Sequence, residues 1–283
     1  MSRSRALRFV APSLLALTAG FVAFLGPRTT VTPAAAQAAA ARPWLGLELA
    51  TRKDGGPGVF VRHVIRTSPA DKAGLKDSDV VLSLGGKAVS APGEIISEVR
   101  SQAPGKELAL VLMRGSREIK TAVVLAAAPP TDEMLRRDKV GTFSPSITGL
   151  ANVQGAVPAS LSALRGKVVV LDFWASWCGV CKLMTPTLND WQTKYGAQGL
   201  VVLGVSSDKH DVATAATKSF GITYPVGADT SDKVFPGFQI PALPTMYVLD
   251  KGGVVREVEV GFDAAHLKQT EKMIEKLLAE KTP

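Results

Sequence analysis

The sequence predicts an α/β fold, a central mixed sheet flanked by helices, preceded by a small, mostly β domain. Three observations carry that expectation. With 283 residues, 46% of them hydrophobic and 20% charged, the chain has apolar material for about two cored domains of roughly 150 residues each. Residues 44–128 alternate short apolar runs with glycine and proline, the pattern of strands separated by turns. From residue 167 a near-continuous apolar run, the mark of a strand buried on both faces, gives way to a helical period.

The formal charge of +8 is unevenly spread. Four of the 33 basic residues (Arg3, Arg5, Arg8 and Arg28) lie in the first 41 positions, where there is no acidic residue. The rest of the chain has no basic run with interleaved aromatics, which argues against nucleic acid as a partner. The basic residues instead precede the weakly polar run "FVAPSLLALTAGFVAFL", and Ala36-Gln37-Ala38 fits a small-x-small cleavage site. Residues 1–38 therefore read as a signal peptide or an N-terminal membrane anchor, followed by a linker at 39–43. Either reading exports the remainder, to the periplasm or cell envelope.

Within residues 44–128, "GVFVRHVI" (58–65), "DVVLSLGG" (79–86) and "ELALVLMRG" (107–115) are the expected strands. "SPADKAGL" (68–75) opens with a capping serine and a first-turn proline, so it reads as a short helix. "PGEIISEVRSQ" (92–102) is a second helix, with Ile95, Ile96 and Val99 on one face. The segment "VIRTSPADKAGLKDSDVVLSLGGKAVSAPGEI" resembles a bacterial PDZ domain of the type found in periplasmic HtrA proteases. That resemblance implies capture of a partner's C-terminal peptide tail as an added strand, its carboxylate held by backbone N–H groups of a loop matched by Trp44, Leu45, Gly46 and Leu47. Glycine at 46 is expected to keep that approach clear. The alternative is a groove left unused or filled by the chain itself.

The stretch "AAAPPTDEMLRRDKVGTFSP" (126–145) has a proline pair, charged residues and no sustained period beyond a turn near 132–137. It reads as a linker, assigned to residues 129–138.

Both cysteines of the chain, Cys178 and Cys181, stand where the apolar strand "KVVVLDFWASW" (167–177) meets the helical pattern of "CKLMTPTLNDWQTKY" (181–195), which runs through Leu183, Leu188 and Trp191. A helix N-terminus stabilises a thiolate, and residues i and i+3 can approach the roughly 5.5 Å Cα separation of a disulfide. Four readings compete. A structural disulfide closing so short a loop would restrain little of the unfolded chain. Zinc needs about four ligands, and His63, His210 and His266 do not stand at ligand-like spacing; copper delivery would want three residues between the cysteines. Thiol–disulfide exchange suits the pair best, with no metal.

Over residues 139–283 the sequence resembles the thioredoxin superfamily, in particular the exported TlpA/ResA-type members. "FWASWCGVCK", Pro186 five residues after Cys181, and "LPTMYVLD" (243–250) carry the likeness. It implies a cis peptide bond at Pro244, facing the cysteines and exposing the backbone of Leu243 to a substrate chain. It also implies substrate contacts by Trp177, Gly179 and Val180, and no cofactor. "GLVVLGVSSDKHD" and "FGITYPVGAD" fit the extra strand and helix of TlpA-like members. Two positions depart from that subgroup: Met184, expected to pack in the core, and Asp172, as in ordinary thioredoxins. A carboxylate held in an apolar strand has a raised pKa and suits proton transfer from Cys181; the alternative is a salt-bridged or half-exposed aspartate.

The expected function is disulfide exchange on protein substrates, probing them with Cys178 as attacking and Cys181 as resolving thiol. The resemblance favours reduction, with a membrane reductase as electron donor. A disulfide-forming oxidase and a non-catalytic adaptor are the other readings.

Overall fold

The computed structural model describes residues 41–281, so the export segment at 1–38 lies outside the described residues. Among the described residues no helix is long and apolar enough to cross a membrane.

In the N-terminal domain, strands β1 (Pro43–Trp44), β2 (Leu47–Thr51) and β3 (Val59–Val64) precede helix α1 (Pro69–Lys72). Strands β4 (Val80–Leu84) and β5 (Lys87–Ala88), helix α2 (Pro92–Arg100), and strands β6 (Glu107–Arg114), β7 (Arg117–Val124) and β8 (Ala126–Ala127) complete it. The main sheet runs β2-β3-β4-β6-β7, antiparallel throughout, with β5 on β4; β1 pairs with β8. Period-two alternation buries Leu108, Leu110 and Leu112 of β6 while Glu107 and Ala109 face out. Ile95 and Val99 of α2 close this core, whereas Ile96 is 44% exposed, so the predicted apolar face of α2 is split between core and surface. Ser68 caps α1 as expected, accepting from the Asp71 N–H at 3.1 Å.

Helix α3 (Thr131–Lys139) occupies the segment predicted as a linker at 129–138. Its sequence has little apolar period because most of its surface is polar. Docking supplies the stability instead: Leu135 enters the C-terminal core, and Arg136 pairs with Glu257 at 2.7 Å. Asp138, 4% exposed, accepts from His63 Nε2 at 2.9 Å and from the Arg66 N–H at 3.0 Å, and Arg66 Nη1 donates to the Val140 C=O at 2.9 Å. Burial alone would depress His63, but Asp138 and Asp77 on its two ring nitrogens outweigh that and raise its pKa. The two domains are therefore joined by a packed helix and not by a flexible tether.

The C-terminal domain runs β9 (Ala151–Gln154), β10 (Val168–Trp174), α4 (Gly179–Tyr195), β11 (Leu200–Ser206), α5 (His210–Phe220), β12 (Val226–Ala228), α6 (Val234–Phe238), β13 (Thr245–Leu249), β14 (Val255–Val260) and α7 (Ala264–Ala279). The mixed sheet has six strands in the order β14-β13-β10-β11-β12-β9. Strand β10 lies inside it, parallel to β11 and antiparallel to β13, and all seven of its residues are buried. Alternate residues feed two cores. Val168, Val170 and Trp174 pack with Met184, Leu188 and Trp191 of α4 and Ile274 of α7; Val169, Leu171 and Phe173 pack with Phe238, Tyr247 and Leu135. Of the three residues that mark the predicted helical pattern, Leu188 and Trp191 are buried and Leu183 is 58% exposed.

Candidate active site

Strand β10 delivers the chain to a tight turn at residues 175–178, where Asp208 fixes Ser176 through both its N–H (2.6 Å) and its hydroxyl (2.9 Å). Cys178 is the N-cap of α4, and its Sγ accepts from the Cys181 N–H at 3.2 Å. The helix thus points a first-turn amide, shared with the Cys178 C=O at 3.1 Å, at the sulfur, which favours a thiolate when the bond is open. Cys178 and Cys181 are joined as a disulfide with a Cα separation of 5.3 Å. Both are buried, while Gly179, Trp177 (74% exposed) and Val180 surround them at the surface. A shielded sulfur pair inside an apolar collar suits an extended peptide substrate more than a small polar one.

The Leu243–Pro244 peptide bond is cis. Leu243 packs against the cluster that contains both cysteines, and among the described residues its backbone N–H and C=O take part in no hydrogen bond. A half-buried backbone unit with no partner of its own can add one rung of strand pairing to a bound chain.

Asp172 leaves β10 on the face of Val170 and Trp174, the face that packs against the cysteines. It is 4% exposed and among the described residues no cation pairs with it, so the salt-bridged alternative does not hold there. Burial pushes its carboxyl up to about 7, opposed by the Tyr224 hydroxyl, which donates to Oδ2 at 2.9 Å. Its other oxygen, Oδ1, has no partner among the described residues. Gly204 stands opposite Asp172 on β11, and a Cβ there would lie 3.0 Å from Trp174 Nε1 and 3.2 Å from the Tyr224 ring. The absent side chain makes the room in which Tyr224 reaches the carboxylate. Tyr224, Gly204 and Asp208 were not singled out from the sequence; a glycine inside an apolar strand was the one available signal.

The loop at 45–47 is remote in sequence and forms its own groove, of about 180 Å³, between Trp44, Leu45, Leu47 and Leu49 on one side and Ile96 and Arg100 of α2 on the other. The C=O groups of Leu45 and Gly46 are taken by the N–H groups of Ala70 (2.9 Å) and Ile65 (3.0 Å), whereas no acceptor meets the N–H groups of Leu45 and Gly46 among the described residues. Strand β2 is a sheet edge. The role expected for Gly46 is corrected: its φ is +85°, and a Cβ would lie 2.1 Å from Ser68 Cβ, pointing into the domain and not into the groove. Gly46→Ala is expected to cost about 2–4 kcal/mol of stability by overpacking and backbone strain, read as a lowered thermal midpoint. An unchanged midpoint would refute this.

A model of the AhpC/TSA family matches residues 140–258, and a model of the PDZ domain matches residues 43–125. The thiol-disulfide oxidoreductase ResA of Bacillus anthracis is 32% identical over 124 residues, 44% of this chain and 68% of that protein. Protein DipZ of Mycobacterium tuberculosis is 33% identical over 144 residues, 48% of this chain but only 20% of that protein's length. Among solved structures, a thiol:disulfide interchange protein of the thioredoxin family from Chlorobium tepidum is 27% identical, with 50% of this chain and 99% of that chain covered at a TM-score of 0.43.

Proposed function

The chain belongs to the ResA-type thiol-disulfide oxidoreductases through its C-terminal half, joined to a PDZ domain, and from that membership we propose that it exchanges disulfides on protein substrates outside the cytoplasm, in the reducing direction. The observation that carries the reading is the Cys178–Cys181 disulfide at the start of α4, on the same core face as a buried Asp172 with a carboxyl near neutrality.

In the reduced protein the Cys178 thiolate attacks a substrate disulfide, forming a mixed disulfide and releasing one substrate sulfur. Cys181 gives its proton to Asp172 and attacks Cys178 Sγ, which releases the second substrate sulfur. Two electrons have then passed to the substrate and the enzyme holds its own disulfide. An electron donor in the membrane, a reductase, restores the dithiol. Leu243 pairs with the substrate backbone, and Trp177, Gly179 and Val180 form the surface it lies on. The N-terminal groove takes a partner's C-terminal tail: the unpaired Leu45 and Gly46 amides receive its carboxylate, with Leu47 continuing the edge on which it pairs. The N-terminal sequence at 1–38 supports export.

The test is the rate at which the reduced protein opens a disulfide-bonded peptide carrying a C-terminal tail, with that tail free or amidated. Fast opening that slows on amidation at low concentration is the expected result. Failure to open the peptide would refute the exchange reading. Equal rates for the two tails would refute recruitment through the groove.

A further inference from the structure

Glu48 and His63 stand directly opposite each other on the β2–β3 pair, so their side chains leave the sheet on one face. Both reach beyond their own domain, His63 to the joining helix α3 and Glu48 to the C-terminal domain. His63 meets Asp138, and Glu48 Oε1 accepts from Nε2 of Gln239. Gln239 ends α6 in the left-handed conformation, with φ of 56°, and begins the short segment that runs to Pro244. That segment is anchored on the inside at both ends: the Phe238 C=O accepts from the Tyr247 hydroxyl at 2.6 Å, the Ala242 C=O from the Thr245 hydroxyl at 2.7 Å, and the Pro244 C=O from the Gly261 N–H at 2.7 Å. On the outside, its side-chain anchor is Glu48. A cavity of about 100 Å³, lined by Glu48, Ile65, Met134, Gln239 and Pro241, leaves the segment room to shift if that anchor is lost.

Strand β2 therefore has two uses. Its free edge begins at Leu47 and faces the tail groove, while its very next residue, at a register shift in the β2–β3 ladder, holds Gln239. We propose that the N-terminal domain is a positioning element of the redox site: through Glu48 and Gln239, strand β2 sets the backbone of Leu243 and Pro244, so that a tail ordered on β2 and a substrate chain paired at Leu243 favour each other. This rests on the exchange and tail-binding reading above. A tail that stiffens β2 at Leu47 acts on the rung that carries Glu48, and linkage makes the effect reciprocal: tail affinity rises by the same factor when the substrate chain is bound.

The test uses the reduced full-length protein with two disulfides: a disulfide-bonded peptide, whose backbone can pair with Leu243, and 5,5′-dithiobis(2-nitrobenzoate), which has none. Glu48→Ala is expected to slow the peptide reaction by about tenfold and leave the small-disulfide rate unchanged. Glu48→Gln keeps an acceptor oxygen and should restore the rate. Gln239→Ala should reproduce the loss, and the double variant should be no slower than either single one. A free-carboxylate tail peptide should accelerate the peptide reaction of the wild type and not that of Glu48→Ala. Equal peptide rates in Glu48→Ala and wild type overturn the proposal. So does a parallel fall with the small disulfide, which would mean that the thiol had changed and not the segment. Wild-type protein that opens neither disulfide overturns the exchange reading itself, an outcome distinct from both.

Discussion

Cys178→Ser is expected to lower disulfide exchange by roughly 10³-fold or more, because it removes the nucleophile and no other cysteine remains to replace it in the attacking position. Cys181→Ser should instead complete the first half of the reaction and stop with the substrate covalently held on Cys178. The asymmetry follows from where α4 begins. Both cysteines are buried, but Cys178 caps the helix and its sulfur receives the Cys181 N–H at 3.2 Å, whereas among the described residues no N–H donates to the sulfur of Cys181, one turn in. The positive end of the helix dipole adds to the effect. Iodoacetamide should accordingly modify Cys178 of the reduced protein much faster than Cys181 near neutral pH, as read by peptide mass mapping. Similar labelling rates at the two positions, or retained exchange by Cys178→Ser, would contradict the assignment.

Asp172→Asn carries the second large effect, and it acts in opposite directions on stability and on rate. Burial raises the folded-state carboxyl to about 7 from the usual 3.8. Between these values the folded protein keeps a proton that the unfolded chain has released, so stability falls as pH rises through that window and is lowest above about 7. The span amounts to about 4 kcal/mol. Asparagine has no charge to bury, so the variant should lose this pH dependence. Near pH 8 it should resist denaturant better than wild type by about 2–3 kcal/mol, the rest being offset by an amide less well matched to the Tyr224 hydroxyl. Near pH 4 the charge cost is almost gone while that offset remains, so the variant should there be less stable than wild type by about 1 kcal/mol. Resolution of the mixed disulfide should meanwhile slow by about 10²-fold, and the wild-type rise in rate across pH 7 should disappear. A variant less stable than wild type at pH 8, or one that resolves mixed disulfides at the wild-type rate, would remove Asp172 from the proton path.

The helix at 131–139 shows where the sequence was readable and was misjudged. Asp132 and Glu133 in its first turn and Arg136, Arg137 and Lys139 in its last complement a helix dipole, a signal present in the residues themselves. Proline and charge in a segment without apolar period argued the other way, because the partner surface that stabilises α3 lies on β14 and on the N-terminal domain.

By itself the sequence determined what depends on neighbours along the chain. A seven-residue apolar run makes β10 a buried strand, a three-residue spacing at its end makes Cys178 and Cys181 a pair that one helical turn can close, and an aspartate inside that run must be desolvated. Tertiary structure decided the rest. It brings Tyr224 onto Asp172 across 52 positions, uses the bareness of Gly204 to admit it, turns Gly46 against Ser68, and ties Glu48 to Gln239 across 191 positions. Local periodicity records which face of an element is apolar, but which distant side chain meets that face is set by strand register and by the volume left when the elements pack.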